Sequence, residues 1–163
     1  MKRSFEKLNK RDLRKLLRLA LHDINSFFER NPRYRRYQGT EKLVALCQGA
    51  ALHYVDGRNG IKDFDVWFFY PDKGVRLPYR RRGVVDFGPS RFGKQAGNAG
   101  YQGRSIDVLF RSDRAFNRRN ARSGIVEYLS HPKSDTPRLL AKKAVVGLYP
   151  EPVFGEIMWP VDN

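Results

Sequence analysis

The chain predicts an α/β (α+β) fold: a small mixed β-sheet with flanking helices and a long N-terminal amphipathic helix. Three observations predict it. One segment carries apolar residues at spacings of three and four, several short runs are rich in branched and aromatic residues, and turn formers separate them. At 163 residues a single domain is expected over 1–163, with its core at about 40–130.

The helix spans 10–30. Leu13, Leu16, Leu17, Ala20, Leu21, Ile24, Phe27 and Phe28 form one apolar stripe, and Asn31-Pro32 ends it. Its other face carries Arg11, Arg14, Lys15 and Arg18. Leu43 to Cys47 is a short continuous apolar run that fits a buried strand; a helix competes, because runs this short are ambiguous. After Gly49, Ala50 to Val55 fits a helical turn or two, and Asp56-Gly57-Arg58-Asn59-Gly60 a turn in which Asp56 has a turn role. Ile61 to Tyr70 is the second strand, stopped by Pro71.

Residues 71–104 hold seven of the 14 glycines and many arginines, and only Gly83 to Phe87 has strand character. A basic flap over a substrate is expected there, with a disordered insertion as the alternative. Arg104 to Phe110 alternates as a further strand. A helix follows near Ser123 to Ser130, and another is expected from Thr136-Pro137 to Gly147 and Pro150. The Pro-rich tail, 150–163, is expected to pack Phe154, Ile157, Met158 and Trp159 on the core.

Charge narrows the partners. With 32 Lys+Arg against 17 Asp+Glu, the net charge is +15. A field of that sign draws in polyanions, so a nucleic acid or nucleotide is expected, RNA ahead of DNA. Tyr34 and Tyr37 stand among Arg33, Arg35 and Arg36, an arrangement suited to stacked bases. Arg80, Arg81 and Arg82 join Arg11, Arg14, Lys15 and Arg18 as candidate nucleic-acid contacts. A basic protein kept soluble by its charge is the plainer reading. Cys47 is the single cysteine, which excludes an internal disulfide and a cysteine-rich zinc site; a buried structural thiol is expected. With no apolar run near ~20 residues, no membrane span is expected, and a cytoplasmic protein is.

The chemistry centres on Gln48 to Tyr70. Residues two apart in a strand share a face, so Asp63 and Asp65 point one way while Phe64, Val66 and Phe68 point the other. In Ile106-Asp107-Val108 the same alternation sets Asp107 apart from its apolar neighbours. If the two strands are neighbours, three carboxylates meet, an arrangement that demands cations. Oxygen ligands of this kind suit Mg²⁺ or Mn²⁺, and two such ions serve in-line phosphoryl displacement. A turn at Gly49 into a helix at Ala50 offers amide N–H groups to a phosphate, with Arg58 and Lys62 available for remaining charge. Asp86 is a spare carboxylate and a further site candidate. His53 lies near the glycine turn, where packing is a more ordinary role than substrate contact.

Gly49-Ala50, Asp63-Phe64-Asp65 and Ile106-Asp107-Val108 together resemble the nucleotidyltransferase superfamily typified by DNA polymerase β and the minimal nucleotidyltransferases. The resemblance covers roughly 43–110. It implies a mixed sheet, two divalent metals held by Asp63, Asp65 and Asp107, and transfer of a nucleotidyl group from an NTP to a hydroxyl, on a nucleic acid such as tRNA. Asp107 would help deprotonate that hydroxyl. Ala50 stands where a glycine or serine is usual, so a hydroxyl that commonly touches phosphate is missing. The interval before Asp107 is also longer than in the smallest members. A non-catalytic nucleic-acid-binding relative and a metal-dependent nuclease are the alternatives; a nuclease needs no triphosphate cradle. A small partner protein completing the site is a further possibility.

Overall fold

The computed structural model describes residues 2–78, 83–95, 97 and 100–161. Its first helix, α1 (Lys10–Arg30), has the predicted bounds, and a capping box starts it. The Asp12 amide donates to the Asn9 side chain, and the Asn9 amide donates to the Asp12 carboxylate. Leu13, Leu16, Ala20, Ile24 and Phe28 are the buried stripe.

Among the described residues six strands form one sheet: β1 (Leu43–Cys47), β2 (Phe64–Tyr70), β3 (Gly83–Asp86), β4 (Ser105–Ser112), β5 (Val145–Tyr149) and β6 (Ile157–Trp159). Their order is β3-β4-β2-β1-β5-β6. Only the β2–β4 pair is parallel, so the sheet is mixed. The run Leu43 to Cys47 is therefore a strand, buried at all five positions because both faces are covered.

Helix α2 (Gln48–Asp56) shares the α1 side of the sheet, where Ala50 and Ala51 join Phe64, Val66, Phe68, Ile106 and Val108. Helices α3 (Ala121–Ser130) and α4 (Asp135–Leu140) cover the opposite side, with Ile125, Tyr128, Leu129 and Leu140 against Leu43, Ala45, Cys47, Trp67 and Phe69. Two apolar layers thus sandwich the sheet.

The structure corrects five expectations. The second strand starts at Phe64; Ile61 instead makes an isolated bridge to Ser4, which leaves Asp63 just outside the ladder. The helix expected to run to Gly147 ends at Leu140, and its cap is Ser134 in place of Thr136. The branched run Val145-Val146 continues the sheet beside β1. In the tail, Met158 is buried and the Trp159 indole donates to the Ala141 carbonyl at 2.9 Å, but Ile157 is exposed. The described part of 71–104 is packed and is no open flap, since Leu77, Phe87 and Phe92 are buried. Asp86 organises it by accepting from the amides of Gly88, Gln102 and Gly103, a turn role in place of a site role.

Gly147 marks where β5 meets the tail. A Cβ there would stand 2.2 Å from the Val153 carbonyl oxygen. Gly147→Ala is therefore expected to lower stability by about 1–3 kcal/mol, read as a shift in the urea midpoint at unchanged m.

Candidate functional site

Strands β2 and β4 set the site. Their register places Asp65 directly opposite Asp107, and both side chains leave the sheet on the face away from α1. The two carboxyls share a hydrogen bond in which Asp65 donates to Asp107. Burial, then the negative charges of Asp63 and Asp107, push Asp65 up to about 8. Burial and Asp63 raise Asp107 as well, against the opposing pull of Asp65's hydrogen bond and of Lys62. One proton thus does the work a cation would do between two acids.

Asp63 precedes β2 and reaches the same cleft through the chain, two residues from Asp65. Among the described residues, no three His, Cys, Asp or Glu side chains are gathered tightly enough, as they stand, to hold a metal ion. The expected three-acid cluster is thus a hydrogen-bonded pair with a third acid beside it. The reason is the ladder, which aligns Asp65 with Asp107 and leaves Asp63 off it.

The cleft, about 400 Å³, runs from Asp63 and Asp65 to the start of α2; Asp107 stands beside Asp65 but is not among the lining residues. Gln48, Gly49 and Ala50 line it together with Asp63, Asp65 and Lys62. Gln48 takes a left-handed conformation, φ 63°, and α2 begins there, two residues earlier than expected. No side chain caps this helix start, so its first amides keep their partial positive charge without a side-chain acceptor, in residues that line the cleft. Gly49 keeps the approach open: a Cβ there would meet Asn59 Nδ2 at 3.0 Å, Arg3 Nη1 at 3.8 Å and Lys143 Nζ at 4.0 Å. Ala50 is buried among apolar residues of the α1 side. Its contribution to the cleft is backbone, and the absent hydroxyl matters less than the sequence implied. Lys62 lines the cleft as expected, whereas Arg58 does not.

Two cationic residues of the cleft escaped the sequence reading. Lys143 comes from the link between α4 and β5, and Arg3 from the N-terminal segment. Ser4 and Ile61 exchange backbone hydrogen bonds of 2.9 and 2.7 Å. His53, buried, clamps the same segment. The Gly60 amide can only donate, so His53 Nδ1 accepts from it at 3.1 Å, and the protonated Nε2 donates to the Glu6 carbonyl at 3.0 Å. Proximity in sequence to Gly49 was the only available hint. Arg104 is also buried; it donates to the carbonyls of Phe92 and Lys62, and burial lowers its pKa while Asp63 opposes that.

The candidate nucleic-acid residues of α1 lie across the sheet from the carboxylates. Arg14 pairs with Glu151 at 3.0 Å and covers the Phe154 ring, and Lys15 covers the Phe87 ring. Arg11 and Arg18 are exposed. Arg80, Arg81 and Arg82 lie outside the described residues. Cys47 is buried, its thiol pushed up by burial and by Asp65, which fits a structural role. No helix among the described residues is long and apolar enough to cross a membrane.

Comparison of the chain with protein-family models, with curated proteins and with solved structures yields no match.

The raised Asp65 has a consequence for stability. Between about pH 4 and 8 the folded protein keeps a proton that the unfolded chain releases, so stability falls as pH rises through that window. In metal-free buffer the loss should approach about 1.4 kcal/mol per pH unit between about pH 5 and 7 and level off above about 8. Urea unfolding at three pH values checks this, and Asp65→Asn should flatten the profile.

Proposed function

We propose that the protein is a metal-dependent nucleotidyltransferase that moves a nucleotidyl group from an NTP to a hydroxyl acceptor on a nucleic acid, RNA in preference to DNA. The observation that carries this reading is the shared cleft. One end holds Asp63 and Asp65, the latter paired with Asp107 of the neighbouring strand β4, and the other holds an uncapped helix start flanked by Arg3 and Lys143. Acids at one end suit cations; amides and cations at the other suit a triphosphate tail.

The acids fit a hard divalent cation, because Asp65 and Asp107 already need positive charge between them and offer only oxygen. Asp65 and Asp107, with Asp63 beside them, would hold magnesium or manganese, which lowers the pKa of a bound hydroxyl and neutralises charge at phosphorus. The residues then have separable duties. The α2 amides, Arg3 and Lys143 orient the β- and γ-phosphates, which leave as pyrophosphate. Asp107 takes the proton of the acceptor hydroxyl as its oxygen bonds to the α-phosphorus and the bond to the bridging oxygen breaks. Trp67 and Leu109 form the apolar wall.

A non-catalytic nucleic-acid-binding protein is the second reading, favoured by the looseness of the three acids. Incubation with α-labelled ATP, CTP, GTP and UTP separately, with Mg²⁺ or Mn²⁺ and total RNA, separates the two. Label should enter RNA, and Asp65→Asn and Asp107→Asn should each reduce incorporation at least about a hundredfold. RNA bound without label, unchanged by either substitution, sinks the transferase; shortened, unlabelled RNA indicates a nuclease. Mn²⁺ should also raise the melting temperature of the native protein and leave that of Asp65→Asn in place.

Filling the phosphate end gives a second check. Gly49→Ala puts a methyl against Asn59 and beside both cations. It should weaken binding of a non-hydrolysable ATP analogue about tenfold or more by calorimetry, at nearly unchanged thermal stability.

A further inference from the structure

A second groove, about 650 Å³, adjoins the cleft and shares Arg3 with it. One wall is the N-terminal segment from Lys2 to Lys7, and the other is the turn from Arg91 to Lys94. The walls are tied to the body of the protein. Arg91 pairs with Asp12 of the α1 cap and donates to the Lys7 carbonyl, and buried Arg104 donates to the Phe92 carbonyl at 2.8 Å. These two arginines are therefore spent on construction. Lys2, Arg3, Lys7 and Lys94 are exposed, and none has an ion-pair partner among the described residues. The one acid lining the groove is Glu6.

Within this basic lining stands Phe5, 62% exposed. Its backbone is held by the Ser4–Ile61 bridge on one side and the His53–Glu6 bond on the other, and its ring meets the His53 ring edge-on at 6.2 Å. A fixed, solvent-facing phenyl ring among unpaired cations is the combination that binds single strands: cations follow the phosphates, and an aromatic face stacks a base without regard to its identity. A duplex keeps its bases stacked internally and has none to offer the ring.

We propose that this groove binds single-stranded nucleic acid, with one base stacked on Phe5 and the backbone along Lys2, Lys7 and Lys94. The strand passes Arg3 into the carboxylate cleft, so that its terminal hydroxyl is the acceptor. The binding itself stands independently; the role as acceptor track rests on the nucleotidyltransferase reading.

Fluorescence anisotropy with labelled ten-nucleotide U and A strands, RNA and DNA, tests the groove. The matching duplex and poly-glutamate serve as controls. Single strands should bind ahead of both controls. Phe5→Ala should weaken binding about five- to thirtyfold, and Phe5→Trp should retain it. Lys7→Gln with Lys94→Gln should reduce the salt slope by about 1–2 and weaken every sequence alike. Unchanged binding in the Phe5 and lysine variants, or poly-glutamate binding as tightly as RNA, overturns the groove. Asp65→Asn should bind strands normally, so loss of transfer with binding intact counts against the enzyme alone. If transfer to a dinucleotide persists while the Phe5 and lysine variants bind long strands normally, the groove alone fails.

Discussion

The parallel pairing of β2 with β4 brings Asp65 and Asp107 side by side on the sheet face that carries Trp67 and Phe69. Two carboxylates in that setting repel each other and lose solvation together, so the pair keeps a proton. Much of the surrounding structure answers that negative charge. Lys62 and Lys143 act on the pair, and Arg104 faces Asp63. A site of this kind trades stability for a place where positive charge is wanted.

That demand is met partly from the chain terminus. Among its described residues the segment before α1 buries a single apolar side chain, Leu8, and leaves the Phe5 ring exposed. It is held by a two-bond bridge to Ile61 and by His53, whose two ring nitrogens are both engaged. Gly60 permits the close approach, since a Cβ there would lie 2.9 Å from the Arg3 Cβ. The result is that Arg3, distant in sequence from every other site residue, stands where the cleft and the basic groove meet.

The two sides of the sheet use positive charge differently. On α1, Arg14 and Lys15 lie over Phe154 and Phe87 and act largely as packing, covering aromatic faces with their cationic ends. Along the N-terminal segment, Lys2, Arg3 and Lys7 have no such duty. The net charge of +15 is therefore a poor guide to which cations are available to a polyanion; the pairing of each cation decides it.

Periodicity was enough to read α1 and β4, because apolar spacing reflects local geometry directly, whereas the continuous apolar run of β1 left a helix open until its pairing with β2 and β5 settled it. The alternation of Asp107 between Ile106 and Val108 likewise determined that it would leave the sheet away from the α1 core. Val145 to Tyr149 was misread as helix, since a short branched run declares its state only when a strand lies open beside it, here β1. Sequence alone marked Asp63, Asp65, Asp107 and the glycine turn as candidates for chemistry; only the tertiary structure decided that Asp65, and not Asp63, meets Asp107. It also decided that Arg3 and Lys143 complete the cleft. Both outcomes depend on strand register and chain packing, which are settled by contacts between residues far apart in sequence.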